Sequence, residues 1–339
     1  MVASSARVRP KAGRGSPRPP LPEESPSVIL TVTLNAALDI TYEVDRLVPE
    51  SSHRVSRVWE RAGGKGVNVS RVLAALGRDT VATGLVGGAT GEQFRGDLRE
   101  AGLRDAFLPI SGTTRRTVAV VSEHSGDASI FNEPGPTVLP GEWQAFTRDF
   151  TVLAGTAAVV VLSGSVPPGL PVDAYGELVR LAREAGALTV LDASGEALRT
   201  ALAQGPDLVK PNAAELREAT DCVDVAAAAA LMRGWGATAV VASSGPDGLY
   251  AETADGAWRA AAPEQLRGNP TGAGDACVAA LAAGLADGNA WPDLLREAVA
   301  LSGAAVVAPR AGDVDRATYR RLLPSVVVKE ARPQEHGGR

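Results

Sequence analysis

Short apolar runs rich in valine, leucine and isoleucine alternate along the chain with longer segments whose apolar residues recur every three or four positions. The runs predict buried strands, and the longer segments predict amphipathic helices. We predict strands at residues 28–33, 81–86, 157–162, 188–192, 207–210 and 237–242. We predict helices at residues 68–76, 91–101, 141–153, 172–184, 213–219, 225–235, 274–285 and 294–307. This alternation indicates an α/β fold in which helices cover both faces of a mostly parallel sheet.

Two stretches, residues 40–60 and 114–132, interrupt the alternation. Each holds two strand-like runs of mixed polarity with no helix between them, which predicts antiparallel strands outside the main sheet. A small β sheet inserted at two points of one domain is typical of a lid that excludes water from reactive chemistry. Because ligands of such folds bind at the carboxyl ends of the parallel strands, the loops after those strands are the expected site.

Composition excludes several classes of protein. The 339 residues are 45% hydrophobic and 22% charged, with a net charge of -5. The apolar runs are shorter than the roughly 18 residues of a membrane span, so no membrane partner is expected. The mild acidity offers no basic field, so nucleic acid is not an expected partner and a small molecule is. Two cysteines without a Cys-x-x-Cys pair fit a reducing cytoplasm, which is the expected location.

The two ends of the chain differ from its middle. Residues 1–26 contain six prolines and five basic residues with almost no apolar periodicity, which predicts a disordered tail. This tail lacks the apolar segment of a secretory signal, so export is not expected. Residues 27–328 are predicted to form one folded domain, and residues 329–339 a frayed end.

A glycine-rich loop at residues 269–275 precedes an apolar helix. Free N–H groups at such a helix start, with glycines that allow close approach, attract an anion. Asp275 in the first turn either caps the helix or acts as a base beside a phosphate. The loop is not a dinucleotide fingerprint, because Cys277 stands where that motif has its third glycine.

A second glycine-rich stretch, residues 62–69, also leads into a helix. It is not a Walker A loop, because Trp59 and Gly66 stand where that motif requires glycine and Ser or Thr. Lys65 and Asn68 lie three residues apart at the helix start and can face one polar ligand. The alternative is a glycine turn with an exposed lysine.

Polar residues also follow four of the predicted strands. Asn212 and Glu215 fit a helix capping box, and at a strand's carboxyl end they can instead hold a hydrated Mg²⁺ beside nucleotide phosphates. Residues 163–169 and 243–248 are predicted turns. Asp39, after the first strand, can accept hydrogen bonds from sugar hydroxyls or begin a turn.

In this order the stretches resemble the ribokinase-like carbohydrate kinases, the pfkB family, over residues 28–324, and within it the phosphosugar branch. The resemblance implies a ribokinase-like three-layer sandwich, with the predicted domain as the kinase domain and the two insertions as its lid. It also implies ATP and Mg²⁺ as cofactors. Two positions depart from the family pattern: Ala36 replaces a proline, and Arg116-Thr117 replaces an apolar residue and asparagine.

The resemblance also implies a role for each matching residue. Asp275 would be the general base, and the amides of Gly272, Ala273 and Gly274 would form an anion hole for the transferring phosphoryl group. The acceptor would be bound by Asp39, Gly64, Lys65 and Asn68, with Arg115 as first choice for pairing its phosphate. ATP would be bound by Lys210, Asn212, Ser243, Gly245, Gly248 and Gly274, and Mg²⁺ by Glu215, directly or through water.

Three hypotheses follow. The first is an ATP-dependent kinase that converts fructose 1-phosphate to fructose 1,6-bisphosphate. The second is a kinase of tagatose 6-phosphate or fructose 6-phosphate, and the third, from a different class, is a sugar-phosphate-binding regulator without catalysis. The lid residues Val55, Val58 and Trp59 further predict a homodimer through paired lids, unless that strand packs on its own domain.

Overall fold

The computed structural model describes residues 28–331, so the predicted tail at residues 1–26 lies outside the described part. The strands are β1 (Val28–Thr33), β2 (Ala37–Val44), β3 (Arg57–Gly63), β4 (Thr80–Val86), β5 (Arg104–Asp105), β6 (Leu108–Pro109), β7 (Arg115–Ser122), β8 (Ala128–Asn132), β9 (Ala157–Ser163), β10 (Leu188–Asp192), β11 (Leu208–Val209), β12 (Ala239–Ser243), β13 (Leu249–Thr253), β14 (Gly256–Ala261) and β15 (Val327–Glu330).

The helices are α1 (Lys65–Ala75), α2 (Gly88–Glu100), α3 (Pro140–Ala154), α4 (Ala174–Glu184), α5 (Gly195–Leu202), α6 (Ala213–Thr220), α7 (Val225–Gly234), α8 (Ala273–Ala286), α9 (Trp291–Val306) and α10 (Arg316–Leu322). All eight predicted helices are present. The two that the pattern missed, α5 and α10, have only eight and seven residues, too few to establish a helical period.

The main sheet has the order β15-β14-β13-β12-β11-β10-β9-β1-β4-β5, with β6 also paired to β4. The six predicted strands form its parallel centre, β4, β1, β9, β10, β11 and β12. Three antiparallel strands, β13 to β15, extend one edge and were not predicted. The side chains of β14 and β15 are only partly buried, so these two strands lack the continuous apolar runs of the central strands.

Strand β9 shows why the fold has three layers. Val160 and Leu162 point into the hydrophobic core on one face of the sheet, and Val159 and Val161 into the core on the other. All four side chains are fully buried. Successive side chains of a strand alternate between faces, so an all-apolar strand requires helices on both sides. Each such side chain contributes roughly 1.5–3 kcal/mol through burial.

The lid is a separate sheet of order β3-β2-β7-β8. Its hairpins β2–β3 and β7–β8 are antiparallel as predicted, but the central pair β2–β7 is parallel, which the prediction of purely antiparallel strands missed. The reason is that β2 and β7 both leave the main domain in the same direction. Strand β3 begins at Arg57 and runs into the glycine stretch.

The lid is attached to the loop that follows α9. Arg61 of β3 donates to the carbonyl oxygen of Ala311 at 3.1 Å and pairs with Asp313 at 2.6 Å. The guanidinium of Arg310 lies 6.0 Å from the centre of the Trp59 ring. Trp59 therefore faces its own domain, as in the alternative that the sequence left open, whereas its neighbour Val58 points to the opposite face of the strand.

Regular secondary structure extends closer to the end of the chain than predicted. Strand β15 pairs with β14 as far as Glu330, so Lys329 and Glu330 are not frayed. Within residues 28–331, every helix is too short or too polar to cross a membrane.

Candidate active site

A cavity of about 1180 Å³ lies between the lid and the carboxyl ends of the parallel strands. Its lining includes every residue that the sequence predicts for the site, although they come from many separate elements. These residues are Asp39, Gly64, Lys65, Asn68, Arg115, Lys210, Asn212, Glu215, Ser243, Gly245, Gly248, Gly272, Ala273, Gly274 and Asp275. The topology therefore gathers them along one edge, as expected for an open parallel sheet.

The glycine-rich loop leads into α8 at the centre of the cavity. Gly272 is the N-cap, with a φ of 90°, and a Cβ atom there would lie 2.8 Å from Cα of Ala311. Only glycine combines this left-handed conformation with so close a contact. Asp275 follows in the first turn with its side chain buried.

The Asp275 carboxyl group is held in an environment that disfavours its charge. Burial, followed by the nearby charge of Asp192, raises its pKa to about 7. Asn68 Nδ2 donates to Asp275 Oδ2 at 2.8 Å, which favours the charged form and opposes these effects. A carboxylate whose pKa lies near neutral pH is suited to accept a proton there.

The three predicted anion-hole amides are not equivalent. The N–H of Ala273 donates to the carbonyl oxygen of Pro270 at 3.1 Å, so this amide is already engaged. Gly272 and Gly274 are the better donors to a ligand. A Cβ atom at Gly274 would lie 3.8 Å from Nζ of Lys210, so an ammonium group stands directly beside the helix start. The amides, helix dipole and lysine together favour a bound anion.

One end of the cavity is formed by Asp39 on β2 and the glycine stretch before α1. A Cβ atom at Gly63 would lie 2.0 Å from Asp39 Oδ2, so glycine is required for the carboxylate to lie against that backbone. Burial raises the pKa of Asp39 to about 6, against the hydrogen bond from Thr117 and the charge of Arg115. Thr117, a position that departs from the family pattern, thus supports Asp39.

Two buried polar atoms at this end have no hydrogen-bond partner within the described part of the chain, Thr33 Oγ1 and Asn35 Oδ1. Both residues line the cavity, and the amide nitrogen of Asn35 donates to Ser165 Oγ at 3.0 Å. Buried polar groups are nearly always paired. The two atoms therefore indicate a polar ligand, such as one bearing hydroxyl groups.

Arg115 is a lid cation that lines the cavity at this end. It is half-buried, and its guanidinium makes only long contacts, 3.4 Å each, to the carbonyl oxygens of Asn35 and Glu133 and to the Thr117 hydroxyl. A guanidinium held by weak contacts can turn toward an anionic ligand and form stronger, charge-assisted bonds.

The opposite end is formed by the loops after β11 and β12. Ser243 donates its N–H to the carbonyl oxygen of Pro211 at 3.0 Å, and Asn212 pairs with it as an isolated bridge. The turn that contains Gly245 therefore lies beside the start of α6. A wall of small and apolar residues completes this end, formed by Leu266 and by Val299, Ser302, Gly303 and Val306 of α9. The sequence did not single out this wall, because small and apolar helix residues are indistinguishable from core.

Asn212 and Glu215 form the predicted capping box. Asn212 Oδ1 accepts from the N–H of Glu215 at 2.8 Å, and Glu215 Oε2 accepts from the N–H of Asn212 at 2.8 Å. The capping role is therefore present. It uses one oxygen of Glu215, whose side chain still lines the cavity.

Asp192 is a site residue to which the sequence analysis gave no role. It ends β10, its side chain is 1% exposed, and it contacts Lys65 and Lys210 at 3.3 Å each. Burial alone raises its pKa, but the two ammonium groups and the hydrogen bond from Ser163 outweigh burial and lower the pKa below its usual range. A carboxylate that closes an apolar strand at the binding edge was the signal that would have identified it.

The sequence of the chain is similar to those of known carbohydrate kinases. Residues 32–316 match the family described as pfkB family carbohydrate kinases. The chain is 33% identical over 311 residues to tagatose-6-phosphate kinase of Staphylococcus epidermidis, covering 89% of this chain and 100% of that one.

Solved structures extend the likeness to the fold. Phosphofructokinase-2 from Escherichia coli, in complex with fructose-6-phosphate, superposes with a TM-score of 0.81 at 30% identity, covering 87% of this chain and 98% of that chain. Arabidopsis thaliana ribokinase, in complex with ribose and ATP, superposes with a TM-score of 0.70 at 22% identity, covering 88% and 99%. The ribokinase-like α/β fold is thereby confirmed.

Proposed function

The chain belongs to the pfkB family of carbohydrate kinases, and on that premise we propose that it is an ATP-dependent kinase that phosphorylates fructose 1-phosphate at O6. One observation carries the proposal: a buried carboxylate, Asp275, stands in the first turn of a helix whose start also holds an ammonium group, Lys210. Phosphoryl transfer needs a base for the acceptor hydroxyl and fixed positive charge for the phosphoryl oxygens, and both lie here within one cavity.

Asp275 accepts the proton of the acceptor hydroxyl as that oxygen attacks the γ-phosphorus of ATP. The bond from the γ-phosphorus to the β,γ-bridging oxygen breaks, and ADP leaves. The amides of Gly272 and Gly274 and the ammonium of Lys210 stabilise the charge on the transferring group. Positioning and electrostatics account for most of such catalysis, because the protein forms no covalent bond.

The acceptor end fits an anionic sugar. Asp39 and Asn68 supply acceptors and donors for hydroxyl groups, and Thr33 and Asn35 have buried atoms that a hydroxyl would satisfy. Arg115 is proposed to bind the sugar's existing phosphate. A dianion in a closed site is costly unless cations pair with it.

The residues of the cavity fit a Mg²⁺ ion if the phosphates of the nucleotide supply most of the metal ligands. Within residues 28–331 there is no cluster of three or more acidic, histidine or cysteine side chains able to hold a metal ion. Magnesium usually keeps several waters and binds through one or two carboxylates plus phosphates. Glu215 is the carboxylate proposed to hold it, and the ion would neutralise phosphate charge when bound.

The acceptor itself is the open part of the proposal, since the relatives carry different names. We place fructose 1-phosphate first, as the sequence resemblance implies, and tagatose 6-phosphate and fructose 6-phosphate as alternatives. All three are furanose phosphates that present one phosphate and one free primary hydroxyl. The cavity's arrangement of one arginine and one base serves each of them.

A coupled ADP assay with the three sugar phosphates, ribose and adenosine tests the function. We expect the highest kcat/KM with fructose 1-phosphate and none above background with adenosine. Comparable rates on ribose would contradict a phosphosugar substrate. Binding of sugar phosphate without any ADP release would favour the regulator without catalysis.

The outward face of the lid supports a homodimer. Tyr42, Val58, Val118, Val120 and Phe131 share the lid face opposite to Asp39, by their register in the lid sheet. Val58 and Phe131 are more than half exposed. We propose that a second copy covers this face. Sedimentation of wild type against Phe131→Ser tests it, and a monomeric wild type at working concentration would remove the proposal.

A further inference from the structure

Asp192 makes a separate contact with each of two lysines. Its Oδ2 lies 3.3 Å from Nζ of Lys65, and its Oδ1 lies 3.3 Å from Nζ of Lys210. The hydroxyl of Ser163 also donates to Oδ2 at 3.0 Å, which fixes the rotation of the carboxylate. One buried carboxylate thus connects α1, β9 and the end of β11.

The two lysines lie on different sides of Asp192 and face different parts of the cavity. Lys65 is the first residue of α1, in the same helical turn as Asn68, which contacts Asp275. Lys210 lies beside Gly274 at the start of α8. Lys65 therefore faces the acceptor, and Lys210 faces the phosphates of the nucleotide.

We propose that Asp192 is a positioning residue that fixes Lys65 for the acceptor and Lys210 for the nucleotide at the same time, an inference that rests on the function proposed above. A free lysine side chain loses rotamer entropy when it binds a ligand. Fixing both ammonium groups beforehand removes much of that cost from substrate binding. Two lysines and one carboxylate also leave a net positive charge for the anions.

A purely structural role explains only half of the arrangement. Lys210 is 4% exposed, and a buried ammonium group requires a counter-ion whether or not it binds a ligand. The Lys65 side chain is 41% exposed and can be solvated without any partner. That Ser163 orients the second carboxylate oxygen toward Lys65 is what points beyond neutralisation of Lys210.

Asp192 also acts on Asp275 through charge. The groups that face Asp275 are Asp192, the ammonium groups of Lys65 and Lys210, and the amide of Asn68. Asp192 disfavours the Asp275 carboxylate, and the other three favour it. Without the Asp192 charge, the carboxylate of Asp275 therefore forms at lower pH. Loss of a merely structural contact would not produce this shift.

The first test is Asp192→Asn in the full chain. We expect the KM for fructose 1-phosphate and the KM for ATP each to rise about tenfold or more, as for loss of charge-assisted contacts. We also expect the acid limb of the pH profile of kcat/KM to move to lower pH. Asp105→Asn is the matched control, because it removes the partly buried ion pair with Arg95, 2.6 Å long, away from the cavity. It should lower stability and leave both KM values and the acid limb unchanged.

A double-mutant cycle separates the effect of Asp192 through Lys65 from its effect through Lys210. If Asp192 acts on the acceptor through Lys65, Asp192→Asn adds little to the acceptor KM in a Lys65→Met background but still raises the KM for ATP. Ser163→Ala is the milder variant, should Asp192→Asn fail to fold. It removes one hydrogen bond and should raise the acceptor KM several-fold in wild type, with no further rise in the Lys65→Met background.

Two results would overturn the proposal. One is that the Asp192 and Ser163 variants behave like Asp105→Asn, with unchanged KM values and acid limb. The other is a defect confined to the Mg²⁺ concentration dependence, which would make Asp192 a metal ligand instead. Calorimetric Kd values for ATP and fructose 1-phosphate separate a failure of the Asp192 proposal from a failure of the proposed kinase function. A wild type that binds both without transfer contradicts the kinase and still tests Asp192, and one that binds neither contradicts both.

Discussion

The main sheet and the lid differ in how their strands are held. Strand β9 has apolar side chains fully buried on both faces, whereas every residue of lid strand β8 is exposed. The main domain holds the groups assigned to phosphoryl transfer, Asp275 and Lys210. The lid holds Asp39 and Arg115, which are assigned to the acceptor.

This difference separates a rigid part of the molecule, the main domain, from an adaptable part, the lid. Reacting groups need fixed geometry, and a close-packed core supplies it, because side chains there have few alternative positions. We expect the outer part of the lid, where β8 buries no side chain, to move at low free-energy cost, so that the lid can admit a substrate and close over it. We therefore expect substitutions in the core to affect turnover or folding, and those in the lid to affect acceptor affinity.

The largest expected effect is on turnover. Asp275→Asn removes the base, and we expect kcat to fall roughly 10²–10⁴-fold while calorimetry shows that both substrates still bind. Asp287→Asn, at the other end of the same helix, is the control and should retain activity. Near-normal turnover of the Asp275 variant would reject its assignment as the base.

The next effect is on folding. Leu162→Ala removes three carbon atoms from a fully buried site and should lower the free energy of unfolding by about 2–5 kcal/mol in a urea titration. Ile130→Ala removes as many atoms from a lid side chain that is 54% exposed, and should cost less than about 0.5 kcal/mol. Equal losses would mean that the lid is as firmly packed as the core.

Acceptor affinity should respond to Arg115. Arg115→Gln is expected to raise the KM for the sugar phosphate about 10- to 100-fold with a smaller change in kcat, because a charge-assisted contact is lost. The neighbouring Arg116, which is exposed, gives the matched control Arg116→Gln, with little expected change. If the two variants behave alike, another cation binds the phosphate.

The pH dependence should report Asp275. Because burial raises its pKa to about 7, kcat/KM should fall about tenfold per pH unit below that value, as the base becomes protonated. The effect on stability has the opposite sign. The folded pKa exceeds the usual 3.8, so the contribution of Asp275 to folding is complete below about pH 4 and is lost as the pH rises through 7. A kcat/KM that is constant from pH 5 to 8 would contradict the first statement, and a free energy of unfolding that is constant over the same range would contradict the second.

The smallest effect should come from the attachment of the lid. Asp313→Asn weakens the pair with Arg61, whose members are 36% and 20% exposed, so we expect only about a two- to fivefold rise in the acceptor KM. Turnover at saturating acceptor should be unchanged. A large fall in kcat would instead show that the loop beneath Gly272 depends on the lid.

Much of this molecule could be predicted from local patterns. Apolar runs predict the strand that ends at Asp192, the strand just before Lys210 and the helix whose first turn holds Asp275, and the order of the motifs indicates the family. Three features could not be predicted: the parallel pairing of β2 with β7, the antiparallel strands β13 to β15, and the apolar wall on α9. The β2–β7 pairing and the wall depend on contacts between distant segments, which periodicity does not encode, whereas β14 and β15 are only partly buried and therefore carry no continuous apolar run.

The sequence by itself determined which residue types stand at strand ends and helix starts, because backbone propensity and hydrophobic period act over a few neighbouring residues. Only the tertiary structure decided that Lys65, Asp192 and Lys210 meet, and that the pKa of Asp275 rises toward neutrality. Charge interactions and desolvation depend on distance and burial, and those are set when separate segments pack together.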